Sequence, residues 1–253
     1  MMLEIIDVLK DKLYKVFQKE NTGHDISHLV RVFDYALDIQ KYEGGDLYII
    51  AVSALVHDIH RLMSNECGYY VSGEESLDEV RHLLIDSNVD ESKLNEILNV
   101  VKNHDHKDDK NQSLETLIVQ DADALDAIGD IGLERTLKYC KKNNIRNFTT
   151  MNAFWRTTNR CRENWKEYTK IHGWHAIFDK VLSWSCTQEG HKFWLRHQLQ
   201  FVMFLIDVAQ KHELDISTYI GYMRDLLTGY DCHNYKKYDW WQYCYNYFNK
   251  INI

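Results

Sequence analysis

The chain has no proline in 253 residues and only 11 glycines. At ordinary usage about a dozen prolines would be present. Collagen-like, Pro-rich and Gly/Ser-linker compositions are therefore excluded. An all-β sandwich or barrel, whose many turns draw on Pro and Gly, is disfavoured. Long apolar runs are missing too. The strongest, Leu47–Val56, falls far short of the ~20 residues a membrane-spanning helix needs, so no membrane partner is expected. The first residues, Met1-Met2-Leu3-Glu4-Ile5-Ile6-Asp7, carry early acids and no basic region before an apolar run, and no signal peptide is expected. The six cysteines (Cys67, Cys140, Cys161, Cys186, Cys232, Cys244) are scattered with no CxxC pair. Free thiols in a reducing, cytoplasmic setting are the simplest reading.

What is present fits helices. Hydrophobic residues make up 45% and charged residues 27%, enough to bury a core and too apolar for disorder. Leu3, Ile6, Leu9, Leu13, Val16 and Phe17 recur at helical spacing. Asp25 is a plausible N-cap for a second helix reaching Glu43, which Gly44-Gly45 breaks. From Asp46 a third helix is apolar nearly all round, the mark of a buried central element. Ser72–Asn88, Asp90–Asn103 and Ser113–Leu125 read as three more, and further helices are expected at about 133–142, within 150–170, and at 174–184, 187–212 and 214–228. No convincing strand and no repeat is visible. The last 24 residues hold nine aromatics and read as a C-terminal helix, with a partner or base-stacking surface as the alternative. The expected fold class is all-α.

Charge is divided. The net charge is −8, but residues 1–134 carry 12 Lys+Arg against 28 Asp+Glu, a net of −16, whereas residues 135–170 carry ten basic residues against Glu163 and Glu167, a net of +8. An acidic part suits a hard cation and a basic segment suits phosphate groups. Overall acidity disfavours, without excluding, a nucleic-acid partner.

Histidine and aspartate concentrate in four places: His24-Asp25-Ile26-Ser27-His28, His57-Asp58-Ile59-His60-Arg61, Asn103-His104-Asp105-His106 and Gln120-Asp121-Ala122-Asp123-Ala124-Leu125-Asp126. His57 and Asp58 end the apolar third helix. Neighbours on a helix diverge by ~100°, so both reach one ion only if it sits in the angle between them, with further ligands from facing helices. His28 and Asp121 lie among apolar periodic residues and are expected to point inward, where a carboxylate is unfavourable unless paired or metal-bound. A two-His, two-Asp set suits Mn²⁺, Mg²⁺, Ni²⁺, Co²⁺, Fe²⁺ or Zn²⁺. Four protein ligands would leave an octahedral ion two positions for water or substrate oxygens. Two other motifs fail on spacing. His24 and His28 are i, i+4 but lack the HExxH glutamate. Asp121-x-Asp123 starts like a calcium loop, but Asp126 stands where its Gly should be and Gly132 where its Glu should be.

These residues resemble the HD-domain superfamily of metal-dependent phosphohydrolases, whose pattern is a His, a His-Asp pair and a distant Asp. The likeness is greater to the small stand-alone branch that resembles nucleotide pyrophosphohydrolases. An HDxxHxxRV segment spans His24 to Val32, an ALLHDI-like one Ala54 to Ile59, and a QDADxLDAIGxIGxxRT one Gln120 to Thr136. Phe178–Leu182 is similar to a later F-x-K-L-like stretch, and Arg196-His197 with Phe201 to an RH…F segment. The resemblance covers residues 1–207 as an HD-type helical bundle, leaving 208–253 as a helical, aromatic-rich extension.

The resemblance implies one divalent ion on His28, His57, Asp58 and Asp121. Asp58, His24 and His104 are the implied catalytic groups, and Asp25, Arg61, Arg135 and Lys180 the substrate-binding ones. Asp25 reads equally well as a helix cap, and Arg31 as a fold-holding partner of a carboxylate. His82, His104 and His106 are available to a second ion, but the one-metal set matches better. The implied substrate is a small phosphate ester, first of all a nucleoside triphosphate cleaved to monophosphate and pyrophosphate. The alternatives are a phosphodiesterase on cyclic nucleotides or nucleic-acid ends and a nucleotide-binding sensor without turnover. A homo-oligomer is compatible with the pattern. Residues 148–170 and 208–253 depart from the branch.

Overall fold

The computed structural model describes residues 2–18, 20, 23–106, 111–127 and 239–250, with ten single positions between 131 and 203. All of its regular structure is helical: α1 (Met2–Phe17), α2 (Ile26–Glu43), α3 (Leu47–Val56), α4 (Ile59–Cys67), α5 (Leu77–Asp86), a 3₁₀ turn at Glu91–Lys93, α6 (Leu94–Asn103), α7 (Leu114–Asp126) and α8 (Asp239–Lys250). The fold is all-α, and no described helix is long and apolar enough to cross a membrane. The chain forms two compact units, Met1–Asp126 with Trp184–His191, and Ala127–Ser183 with Lys192–Ile253.

In the first unit α3 is the central element, packed against α1, α2, α6 and α7. Every residue from Ile49 to Val56 is buried, as the absence of a polar face predicts. Asp46 starts it: the carboxylate accepts from the backbone N–H groups of Tyr48 and Ile49 and from Lys93 Nζ at 2.8 Å, satisfying donors that a helix start leaves open. Gly44 and Gly45 stand at φ +83° and +86°, a region open to glycine and strained for other residues. They turn the chain sharply from α2 into α3. The amphipathic neighbours cover α3 with single faces: Ile6, Leu9, Leu13 and Phe17 of α1, and Leu29, Val32, Phe33, Ala36 and Ile39 of α2.

Two boundaries differ from the sequence reading. A separate helix, α4, follows His57-Asp58 directly and ends at Gly68, whose φ is +77°. The helix expected from Ser72 begins only at Leu77, because Ser72 and Glu75 close a local turn through Glu75 Oε2, which accepts from the Ser72 N–H and O–H. In the second unit α8 buries Trp241, Cys244 and Phe248 and leaves Tyr243 exposed, with Trp241 stacked on Tyr245 at 4.8 Å between centroids.

Candidate metal centre

The centre of the first unit collects charge where a helical core should have none. His57 ends α3 and Asp58 begins α4. The chain breaks between two helices at this pair, so the two side chains escape the ~100° divergence of a continuous helix. Asp58 makes no side-chain cap bond to α4, which leaves its carboxylate to the cluster. His28 comes from the first turn of α2, where Asp25 caps the helix by accepting from the His28 N–H at 3.0 Å. His60 lies in the first turn of α4. His104 ends α6, and Gln120 ties α7 to that end by donating to the Asn103 carbonyl at 2.8 Å.

The imidazoles are held by one nitrogen each. Nδ1 of His57 donates to the Ala54 carbonyl at 2.8 Å, Nδ1 of His60 to His57 O at 3.2 Å, and Nδ1 of His104 to Val101 O at 2.6 Å. A carbonyl only accepts, so each ring carries a proton on Nδ1 and leaves Nε2 to face the cluster. Those three Nε2 atoms are buried without a hydrogen-bond partner. Burial pushes the His57 and His60 imidazoles down to about 4, so both rings are neutral ligands near neutral pH. His28 donates from Nδ1 to Asp126 Oδ2 at 2.7 Å, and Arg31 braces the same carboxylate. Ligand-ring orientation by an outer carboxylate is a common feature of metal sites. It also gives Arg31 the fold-holding role expected of it.

Around Asp58 Oδ2 lie His24 Nδ1 at 2.6 Å, His28 Nε2 at 3.1 Å and His57 Nε2 at 3.7 Å. Burial would raise the Asp58 carboxyl, but the imidazoles of His24 and His57 outweigh it and hold it well below the usual carboxylate range. Asp123 Oδ1 lies 3.6 Å from His28 Nε2 and 3.9 Å from His57 Nε2. Three overlapping groups have ligand atoms mutually within 4.8 Å: His24, His28 and Asp58; His28, His57 and Asp123; and Asp58, His60 and His104. These are imidazole nitrogens and carboxylate oxygens, the donor set of a first-row divalent ion.

The structure brings Asp123, rather than the expected Asp121, to this cluster. Positions 121 and 123 are ~200° apart around a helix, so only one of them can face the histidines. Asp121 is buried on the other side, where its Oδ2 accepts from the N–H and O–H of Thr187, both at 2.7 Å. Gly190 packs so close that a Cβ there would collide with the Asp121 carboxylate. The signal for Asp123 was in the spacing. Asp123 and Asp126 are i, i+3, as are His28 and Arg31, and the two faces meet. His60 and Asp105 also belong to the cluster, although the sequence assigned neither a role. Arg61 is beside it, Nε 3.5 Å from Asp58 Oδ1. Arg135 falls in the second unit, and Lys180 lies outside the described residues, as does nearly all of the basic segment.

The chain also resembles known proteins. The HD-domain family model matches residues 25–128. YpgQ of Bacillus subtilis, an uncharacterized protein, is 28% identical over 142 residues, covering 54% of this chain and 67% of YpgQ. The crystal structure of YpgQ in complex with ADP superposes with a TM-score of 0.58 at 20% identity, over 83% of this chain and 96% of that one. An HD-superfamily hydrolase from Bacillus thuringiensis gives a TM-score of 0.57 at 22% identity, over 85% of this chain and 100% of that one. A predicted HD-superfamily hydrolase from an uncultured Thermotogales bacterium gives 0.51 at 23% identity, over 83% and 90%.

Proposed function

The chain belongs to the HD-domain superfamily, and from this premise we propose that it is a divalent-metal-dependent phosphohydrolase acting on nucleotides, cleaving a nucleoside triphosphate to monophosphate and pyrophosphate. The observation that carries the metal-dependent part is the set of buried Nε2 atoms of His57, His60 and His104, which have no hydrogen-bond partner, around the Asp58 carboxylate. Lone pairs left so inside a core are unfavourable by about 1–3 kcal/mol each, and a divalent cation relieves them together. The nucleotide part draws support from the ADP held by YpgQ.

His28, His57, Asp58 and Asp123 would hold the ion. When bound, it supplies an activated water and polarises a phosphoryl oxygen. The other residues do what their positions allow. His24 stands at the solvent edge, its side chain 27% exposed, and holds a proton at Nδ1 against Asp58 Oδ2. It is the proposed proton carrier for the leaving oxygen. Arg61, 30% exposed and not hydrogen-bonded through Nε, offers a planar guanidinium to phosphate oxygens. Arg135 and Lys180 are proposed as further phosphate ligands. Asp25 serves the site by fixing the start of α2 and so the position of His28.

The test is a panel of nucleotides and phosphate esters offered to chelated protein reconstituted with single divalent ions, with products identified by ³¹P resonance. Pyrophosphate and nucleoside monophosphate should appear only with metal. His57→Ala should lose more than about 100-fold in turnover, since outer-sphere substitutions alone lower metal-site function 10–100-fold. Ring opening of cyclic nucleotides would favour a phosphodiesterase, and unchanged hydrolysis in His57→Ala would refute the proposal.

A further inference from the structure

The cluster is closed on most sides, since His28, His57, His60 and His104 are all buried. Among its described residues, His24, Arg61, Asp105 and Asp123 reach solvent, with side chains between 18% and 30% exposed. These four mark the mouth through which a ligand meets the cluster.

Tyr70 stands at that mouth. Its O–H donates to Asp105 Oδ2 at 3.2 Å. The Arg61 guanidinium lies 5.8 Å from its ring centroid, within cation–π reach. The His60 ring meets it in a T-shaped pair at 6.2 Å. Yet Tyr70 is 59% exposed. The local sequence explains the placement. Gly68 ends α4 in the left-handed region and turns the chain back. Val71 is buried, and its N–H donates to Ser64 Oγ at 2.8 Å. Ser64 in turn donates to the His60 carbonyl at 2.8 Å. Tyr70 is thereby folded back along α4 and held over its first turn. A scattered exposed tyrosine needs no explanation. This one is fixed from three sides at the entrance to a charged cluster, and its hydroxyl is already used. What it has left to offer a ligand is a ring face.

We propose that Tyr70 is the platform on which the base of a bound nucleotide stacks, while Arg61 beside it takes the phosphates. The inference rests on the nucleotide reading above and adds where the base lies. A base and a phenol ring are both flat and apolar on their faces, and they gain by offset stacking. A ring already held in place loses little freedom when the ligand arrives. Every base has such a face, so the contact favours nucleotides over bare phosphates without selecting one base.

The experiment measures binding of ADP and of inorganic pyrophosphate to the Mn²⁺-loaded full chain by calorimetry. The two probes share a diphosphate and differ by the nucleoside. Wild type should bind ADP more tightly. Tyr70→Ala should weaken ADP about 10-fold or more, the usual worth of one base on an aromatic ring, and leave pyrophosphate unchanged. Tyr70→Phe, which keeps the ring and loses the hydroxyl, should retain the ADP affinity. Equal loss of both probes in Tyr70→Ala would mean that Tyr70 only props Arg61 and Asp105, and it overturns the inference. So does ADP affinity that is unchanged in Tyr70→Ala, or lost as fully in Tyr70→Phe. Wild type that hydrolyses nucleotides but binds ADP no better than pyrophosphate overturns the platform alone. Wild type that binds neither probe overturns the nucleotide reading as well.

Discussion

Asp121 and Asp123 stand two positions apart on α7, and that spacing decides which carboxylate meets the histidines. Asp123→Asn should weaken binding of the divalent ion more than about 100-fold, by the same comparison with outer-sphere losses, as read by Mn²⁺ titration. Asp121→Ala should leave metal binding intact and loosen the 184–191 segment instead. It strands two buried Thr187 donors, each worth about 1–3 kcal/mol, so hydrogen exchange or proteolysis at that segment should quicken. His28, His57 and Asp58 were legible from the sequence because apolar periodicity surrounds them on helices of clear phase. Asp121 misled because a QDAD segment offers two acids and the motif alone does not say which faces inward. The i, i+3 match of Asp123–Asp126 with His28–Arg31 resolves it, but only once α2 and α7 are known to touch. His60 was hidden for a different reason: its direction depends on a helix break that no proline or glycine marks.

At the scale of elements, α3 was the most legible helix, since a segment apolar on all sides can only be a central one. Its start was equally plain in Gly44, Gly45 and Asp46. Asp46→Ala should destabilise the first unit by about 1 kcal/mol, the usual worth of an N-cap, as read by denaturant midpoint. The hydrogen bond from Lys93 holds the Asp46 carboxyl below its ordinary value despite partial burial. A carboxyl lowered in the fold contributes stability above its unfolded value and loses it as pH falls through the folded one. The gap between wild type and Asp46→Ala should thus be full at pH 7 and close below about pH 4, near the ordinary Asp value. A gap that persists in acid would assign the effect to packing. α4 was not legible, because Ile59–Cys67 follows α3 with no proline or glycine to mark the break.

For the whole molecule, the acidic partition was visible in composition, and the cluster lies inside it: each ligand group among the described residues belongs to the unit built from Met1–Asp126 and Trp184–His191. Three carboxylates and five imidazoles in one core make that unit's stability depend on the ion. A ligand bound only by the folded state stabilises it by about 2.7 kcal/mol at 100 times its Kd. Chelation should therefore lower the melting temperature by several degrees, and added divalent ion should restore it. The central claim is that these side chains form a metal centre around Asp58, and anomalous diffraction from crystals grown with Mn²⁺ tests it most directly. An anomalous peak should lie within bonding distance of His28 Nε2, His57 Nε2, Asp58 Oδ2 and Asp123 Oδ1. No peak at those atoms, or an ion ligated through Asp121 instead of Asp123, would contradict it.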